Sequence, residues 1–515
     1  MKIDGVIILD CTNLARDPET VNTVSSNFLS ATSRPLGPMI VNDAVQSLNI
    51  PSTVINYVDF WDYDDLETFV GNWFERNNVT SGCFGISSLF DIKAAVSSGA
   101  NIYNHITKLK KKYPTFKFIL GGPAFSVSAE MQWLPDAIFS SNGSIFLFKK
   151  WLLGQEIDSK YCQLHSNGVP EYRTPAGISS LPANLLEDPA VPILHDDYCL
   201  TEQDALGFEI RKGCKFNCSF CSYEFRNAKN VNDVTLDKLS TFFSTAVNKY
   251  NITSYMVVDD TPNEEDSKLE LMYDAVKDLP TPVRIAGFAR LDLFAARPQQ
   301  IDLCDKIGFN SFLFGVETLG TDAARKLIGK GGSKEKLFEV LKLFQTDYPD
   351  WYPFGSFMFG LPQDNPTDFW NGFSYALRNK LFKGVLLNPL YMYDIDRWHG
   401  TPTFLNSDFQ LNAEKYGFVP DDEYGLIIKD GWNRREVEDS KIVIRANSLA
   451  RKHRISEVLP FTAQILRALG WDPYADNFKN ITDLMDDPQH HYNLIASLRD
   501  DKINKYIQNK LNTVL

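Results

Sequence analysis

Between Gly5 and about residue 155, short apolar runs alternate with longer segments whose apolar residues recur every three or four positions. Gly5–Leu9, Ser52–Val58, Cys83–Ser87, Phe116–Leu120 and Asp136–Ser140 read as strands. Met39–Leu48, Asp65–Asn77, Ala94–Lys112 and Ile145–Leu153 read as the helices between them. This alternation predicts a parallel, doubly wound sheet covered on both faces. Such a sheet binds ligands beyond the carboxyl ends of its strands, which points to the loops after Leu9, Ser87 and Leu120. Residues 156–205 carry scattered prolines and no clear period, and read as an ordered connector. From Leu206 the alternation resumes, with strands expected at Phe208–Arg211, Ser254–Val258, Val283–Phe288, Phe312–Val316, Phe354–Phe359 and Gly384–Leu387. Six β/α units within 206–400 fit a partial (β/α)6 barrel better than a closed eightfold one. Beyond it, 401–515 reads as a mainly helical region, clearest at Arg435–Ala450 and Ser456–Leu469.

Composition narrows the class. The 515 residues are 44% hydrophobic and 23% charged, a globular mix able to bury a core without disulfide staples. With 52 Lys and Arg against 65 Asp and Glu, the net charge of −13 excludes the broad positive field of a sequence-independent nucleic-acid binder. The start Met1-Lys2-Ile3-Asp4 offers no secretory apolar segment, and no uncharged apolar stretch reaches the length of a membrane span. The expectation is a cytoplasmic protein with reduced thiols and no membrane partner.

Three of the eight cysteines fall in one run, Gly213-Cys214-Lys215-Phe216-Asn217-Cys218-Ser219-Phe220-Cys221, just after the first expected barrel strand. Thiolates spaced C-x3-C-x2-C on a tight loop can converge on one metal centre. Three ligands leave one iron of a [4Fe–4S] cubane without a protein donor, so a small molecule can bind it. A zinc site would want a fourth ligand, and the next cysteine along the chain is Cys304. Cys11, Cys83, Cys162, Cys199 and Cys304 are single and read as small core residues.

This run resembles the signature of the radical S-adenosylmethionine (SAM) superfamily, with Phe220 in its aromatic position. The resemblance extends over roughly 205–390. It places Asp259 and Asp260, after the second strand, where the family meets the SAM amino group. Arg290 falls where a SAM carboxylate could be paired, and Glu317 at a ribose contact. Ser356 opens a segment loosely similar to the family's adenine motif, with Ser for its first Gly and Gln363 for its Glu. Taken singly, Arg290 or Glu317 also reads as half of a structural ion pair at a barrel rim. The family's chemistry, implied by the resemblance, is reductive cleavage of SAM to a 5′-deoxyadenosyl radical that abstracts hydrogen from an unactivated carbon.

The first domain resembles the Rossmann-like cobalamin-binding domain fused ahead of many radical SAM enzymes. Leu36-Gly37 in Arg34-Pro35-Leu36-Gly37-Pro38, Ser87-Ser88 after the third strand and Gly121-Gly122 after the fourth match its turns, where small residues let backbone approach a corrin. The D-x-H-x-x-G motif, whose histidine ligates cobalt, is not there: Asp10-Cys11-Thr12-Asn13-Leu14 follows the first strand, and the first of seven histidines is His105. The implied cofactors are therefore a [4Fe–4S] cluster, SAM, and cobalamin bound without a histidine lower ligand. The implied activity is that of a cobalamin-dependent radical SAM methyltransferase. Its partners would be a small-molecule or peptide substrate and an electron donor such as flavodoxin or ferredoxin. Two alternatives stay open: a radical rearrangement, cyclisation or oxidation enzyme with cobalamin assisting or absent, and a non-catalytic iron–sulfur electron-transfer protein.

Overall fold

A computed structural model describes residues 2–11, 34–87, 101–122, 134–140, 144–173, 188–223, 232–390, 392, 407–421, 425–428, 440–456, 458–473 and 475–515 of the chain. Two largely parallel sheets frame it. The first contains β1 (Gly5–Asp10), β2 (Ser52–Ile55), β3 (Gly82–Ser87), β4 (Lys117–Gly121), β5 (Ala137–Phe139), β6 (Cys162–Leu164) and β7 (Pro170–Tyr172). Their order is β2-β1-β3-β4-β5-β7-β6, with only the β6–β7 pair antiparallel. β1, Gly-Val-Ile-Ile-Leu-Asp, is buried along its whole length, as a strand covered on both faces must be. The winding reverses between β1 and β3, which opens a crevice at their carboxyl ends. β6 and β7 lie inside the segment read as a connector, so the sheet continues past residue 155. Strands of three residues carry no readable period.

The second sheet lays β8 (Ala205–Phe208), β9 (Ser254–Val257), β10 (Arg284–Ala289), β11 (Phe309–Glu317), β12 (Tyr352–Phe359) and β13 (Gly384–Pro389) side by side in chain order, all parallel. It is an open six-stranded barrel with edges at β8 and β13. Thr235, Thr321, Ser333 and Asn365 start its helices by accepting a first-turn N–H, satisfying donors the helix cannot. β8 begins and ends three residues before the expected strand. The N–H groups of Ile210 and Arg211 turn away to the Asp259 carboxylate, at 2.6 and 3.0 Å.

Among the described residues, the region after the barrel is helical apart from a hairpin, β14 (Phe418–Asp421) with β15 (Gly425–Ile428). Helix Pro460–Ala468 packs on the barrel face opposite the surrounding helices. Ile465 and Leu469 join Ala205 and Met256, and Phe461 lies 4.9 Å from Phe288, ring centre to ring centre. This helix floors the barrel. The C-terminal helix, Pro488–Asn512, runs from that floor to the first sheet, where Ile503, Tyr506, Ile507 and Leu511 complete the core of Ile55, Trp61, Phe69 and Trp73.

The two sheets and the C-terminal helix meet at a buried charge cluster. Arg34 pairs with Asp204 at 2.8 Å, and Lys502 of the C-terminal helix reaches the same carboxylate at 2.8 Å. The Arg34 side chain is 2% exposed and Asp204 is fully buried. Burial alone would raise the Asp204 pKa, but Arg34 and Lys502 hold it well below the usual carboxylate range. Asp204→Asn should therefore cost about 3–5 kcal/mol in urea unfolding, because it strands two buried cations. A carboxylate with a depressed folded pKa stabilises above its unfolded value, so the parent protein should lose this contribution as the pH falls below about 4. A variant as stable as the parent at pH 7 would show that the three charges are not coupled.

Candidate functional site

The cysteine loop leaves β8 and is fixed before it reaches its first thiol. Asp259, at the end of β9, accepts the two N–H groups named above and is paired to Lys268 at 2.7 Å, both side chains fully buried. Lys268 also holds Glu264, which pairs with Arg211 at 3.1 Å and accepts the N–H of Lys215 at 3.2 Å. The carboxylate expected to face SAM thus anchors the loop instead.

Each of the three thiols has a hydrogen-bonding neighbour. Cys214 Sγ lies 3.5 Å from Thr261 Oγ1, Arg290 Nη1 donates to Cys218 Sγ at 3.6 Å, and the Tyr223 N–H donates to Cys221 Sγ at 3.4 Å. Sulfurs that carry thiolate charge at a cluster call for such donors. Burial pushes the Cys214 thiol pKa up, so it ionises readily only against a cation. Among the described residues no three His, Cys, Asp or Glu side chains are gathered as for a single metal ion. The donor set, three thiols on one loop with donors aimed at sulfur, fits a cluster that takes one thiolate at each of three irons.

Arg290 is locked on all sides. Its fork holds Asp292 at 3.1 and 2.6 Å, Nη2 also donates to the Gly329 carbonyl at 2.8 Å, and the guanidinium lies 3.9 Å over the Phe216 ring. The Asn263 amide clasps both the N–H and the carbonyl of Arg290 at 3.0 Å. Glu317 ends β11 in the left-handed region, φ 64°, beside a register shift in the ladder with β12. Its carboxylate faces Lys330 at 3.4 Å, and burial raises its pKa. For both residues the ion-pair alternative describes the side chain. A non-glycine residue held at positive φ costs of order 1–3 kcal/mol and clusters at functional sites.

Phe220 packs with Ile328, Leu361, Leu390, Met392, Phe409 and Phe418, and Ser219 is tied to the Leu327 carbonyl at 2.9 Å and the Phe409 N–H at 2.9 Å. Segment 407–418 thus backs the cysteine loop. Asp260 and Ser356 stand apart from these pairings. Asp260 is exposed at the barrel rim yet crowded by protein. That desolvation, with Asp259 and Glu209 adding to it and a hydrogen bond from Tyr223 opposing it, pushes its pKa up to about 7. Ser356 is aligned with Gly315 and Leu386 on neighbouring strands, on the inner face.

A cavity of about 1070 Å³ opens at the carboxyl ends of the first sheet. Ser87, Gly121 and Gly122 line it, Leu36 and Gly37 form one wall, and the barrel contributes Glu209, Lys212 and Val258. It is at the upper end of, or beyond, the ~300–1,000 Å³ of clefts for ordinary small ligands. A side chain added at Gly37 or Gly121 would meet nothing within 4 Å, so both glycines keep space open that a larger residue would fill. Among its described lining residues there is no His, Cys or Met. His105 is buried elsewhere, bonded to the Trp61 carbonyl at 2.9 Å. These residues fit a bulky, flat group bound without a protein ligand on its metal. Ser88 lies outside the described residues.

Residues 208–375 match the family model of the radical SAM superfamily, so the chain carries a radical SAM domain. The whole fold is shared with TsrM from Kitasatospora setae, a radical SAM methyltransferase solved with tryptophan substrate and a SAM analog. Its TM-score is 0.60 at 12% identity, covering 95% of this chain and 100% of that one. It is also shared with OxsB, a cobalamin-dependent radical SAM enzyme solved with aqua-cobalamin and SAM. There the TM-score is 0.55 at 13% identity, covering 99% and 83%. At such identities the likeness is one of fold. A comparison with curated protein sequences finds no match. No helix among the described residues is long and apolar enough to cross a membrane.

Sequence reasoning missed Thr261, Asn263, Asp292 and Lys330. Gly329-Lys330-Gly331-Gly332 was the available signal: glycines that close together imply a tight return, and here the chain returns to the cysteines. Gly329 and Gly332 have positive φ, 78° and 72°. Anaerobic reconstitution should give about four irons per chain and a brown chromophore. Changing Cys214, Cys218 and Cys221 together to Ala should abolish both, and retention of the full iron content would refute the assignment. Arg290→Lys, which keeps the charge but loses the fork, should release iron to a chelator faster than Asp260→Asn does. Equal rates would place Arg290 outside the cluster's support.

Proposed function

We propose that the chain is a cobalamin-dependent radical SAM methyltransferase acting on an unactivated carbon of a small molecule or peptide. One observation carries the reading: the large cavity has walls from both sheets, so a corrin held by the first sheet would face the mouth of the barrel that bears the three cysteines. A cluster-bound SAM supplies a radical oxidant there, and a corrin supplies a carrier for the methyl group.

The chain's own residues would do the positioning. Cys214, Cys218 and Cys221 would hold the cluster, with Thr261, Arg290 and the Tyr223 N–H facing the sulfurs. Asp260, exposed at the barrel rim, and Ser356, on the inner face, are the polar groups that would meet SAM, while Asp259, Arg290 and Glu317 would brace the strand ends. Leu36, Gly37, Ser87, Gly121 and Gly122 would shape the corrin berth. Val258, Phe288 and Leu386 present exposed apolar surface inside the barrel, 37–41% accessible. They suit an apolar part of the substrate and help keep water out. TsrM was solved with tryptophan, and a substrate bearing an apolar ring fits this surface. The expected electron donor is a flavodoxin or ferredoxin in the cytoplasm.

Products separate this reading from its rivals. Anaerobic protein reconstituted with iron and sulfide, loaded with hydroxocobalamin, reduced and given SAM should form S-adenosylhomocysteine only when corrin is bound, besides 5′-deoxyadenosine. Corrin-loaded protein that yields 5′-deoxyadenosine alone would favour rearrangement or oxidation. Protein that cleaves no SAM in any state would leave an electron-transfer role.

A further inference from the structure

Arg34 touches all three regions of the molecule. Its backbone forms a parallel bridge to Leu206 on the free edge of β8, so the chain just before the corrin wall adds itself to the barrel sheet. Its guanidinium holds Asp204, ahead of β8, and donates to Asn56 Oδ1 at 2.7 Å, after β2. Asn56 passes the bond on to Asp10, at the end of β1, at 2.9 Å. The ring of Tyr506, from the C-terminal helix, lies 4.5 Å from the guanidinium and that of Tyr57 5.2 Å from it, the two rings meeting edge to face at 5.3 Å. Tyr57 is held at φ 58°, a strained conformation for a bulky residue that its surroundings must impose.

Two residues further on stands Leu36, in the cavity wall and packed over Gly207 of β8 beside Val258. A Cβ at Gly207 would sit 3.6 Å from Leu36 Cβ and 3.7 Å from Val258 Cγ1. Leu36 and Gly37 begin the helix Leu36–Gln46, so the direction in which this wall leaves the barrel edge is set at Arg34.

We propose that Arg34 is a positioning residue: by fastening one chain segment to the β8 edge, the end of β2 and the C-terminal helix, it fixes the Leu36–Gly37 wall and hence the seating of a corrin between the two sheets. The ligand part of this inference rests on the corrin reading above. A planar, five-donor fork suits the task, since a lysine could hold Asp204 or Asn56 but not span both at these distances.

Removing Arg34 leaves Asp204 paired with Lys502, so Arg34→Met does not strand a lone buried charge. Lys502→Met is the control: it removes a cation from the same carboxylate while leaving Arg34 on Asp204, Asn56 and β8. Three measurements on the full, iron-reconstituted chain serve: iron per chain, the Kd for hydroxocobalamin by absorption titration, and hydrogen exchange of the peptide spanning 34–46. In Arg34→Met the Kd should rise roughly tenfold, with unchanged iron and faster exchange confined to that peptide. Arg34→Lys should fall between it and the parent, and Lys502→Met should stay within about threefold of the parent.

Parent-like affinity and exchange in Arg34→Met would overturn the proposal. So would exchange that quickens throughout the first sheet, because the residue would then be stabilising the fold rather than placing the wall. If the parent itself binds no hydroxocobalamin, the corrin reading fails, while local loosening in Arg34→Met would still support the positioning role. Should Arg34→Met not fold, Asn56→Ala, which frees one arm of the fork, must show the same pattern in weaker form.

Discussion

Asp259 accepts two successive backbone N–H groups at the point where the chain leaves β8, and Lys268 neutralises it in a fully buried pair. An unpaired carboxylate could not be held there, and without it two N–H groups would be left unsatisfied inside the protein. The strand therefore stops at Phe208 and the chain turns into the cysteine loop in one direction. Everything downstream follows from that turn. Cys214 comes to Thr261, Cys218 to the locked guanidinium of Arg290, and Phe220 to the small core built by segment 407–418. The loop is shaped by charges just beyond β9 and β10, Asp259, Glu264, Lys268 and Arg290.

The same economy operates where the sheets meet. β8 is an edge strand, and edges must be covered or paired. Here the segment at Arg34 covers it, which brings the open crevice of the first sheet against the barrel mouth. The C-terminal region serves both ends of this arrangement: helix Pro460–Ala468 floors the barrel, and the C-terminal helix, Pro488–Asn512, reaches Asp204 through Lys502 and the first sheet through Tyr506. A region whose sequence names no chemistry thus sets the depth of one cavity and braces the wall of the other.

Much of this was legible in the sequence. Fully apolar runs such as Val6–Leu9 and the regular alternation after Leu206 betray parallel strands, and the spacing of Cys214, Cys218 and Cys221 singles out one loop whose three thiols could share a metal centre. Ser87 and Gly121 at strand ends, and Gly37 at a helix start, pointed to the cavity because small residues there leave room for a ligand. What the sequence hid was pairing. Arg290 and Glu317 were visible as polar groups at strand ends, but their commitment to Asp292 and Lys330 depends on how loops fold back. Arg34 and Asp204 lie 170 positions apart, and Lys502 belongs to a third region. No period or motif links three single charges drawn from distant elements. Strands as short as β6 and β7 are set by their neighbours in the sheet and leave no pattern of their own.

The central claim is that one chain seats a corrin at the ends of β1, β3 and β4, beside the barrel that carries the cysteines, with no protein side chain on the metal. Its most direct test is the paramagnetic resonance spectrum of the cob(II)alamin form, recorded after hydroxocobalamin has been added, excess removed and the sample reduced. The account predicts about one corrin retained per chain and a cobalt signal free of nitrogen splitting from a histidine. Nitrogen splitting from an imidazole, or a chain that keeps no corrin at all, would contradict it.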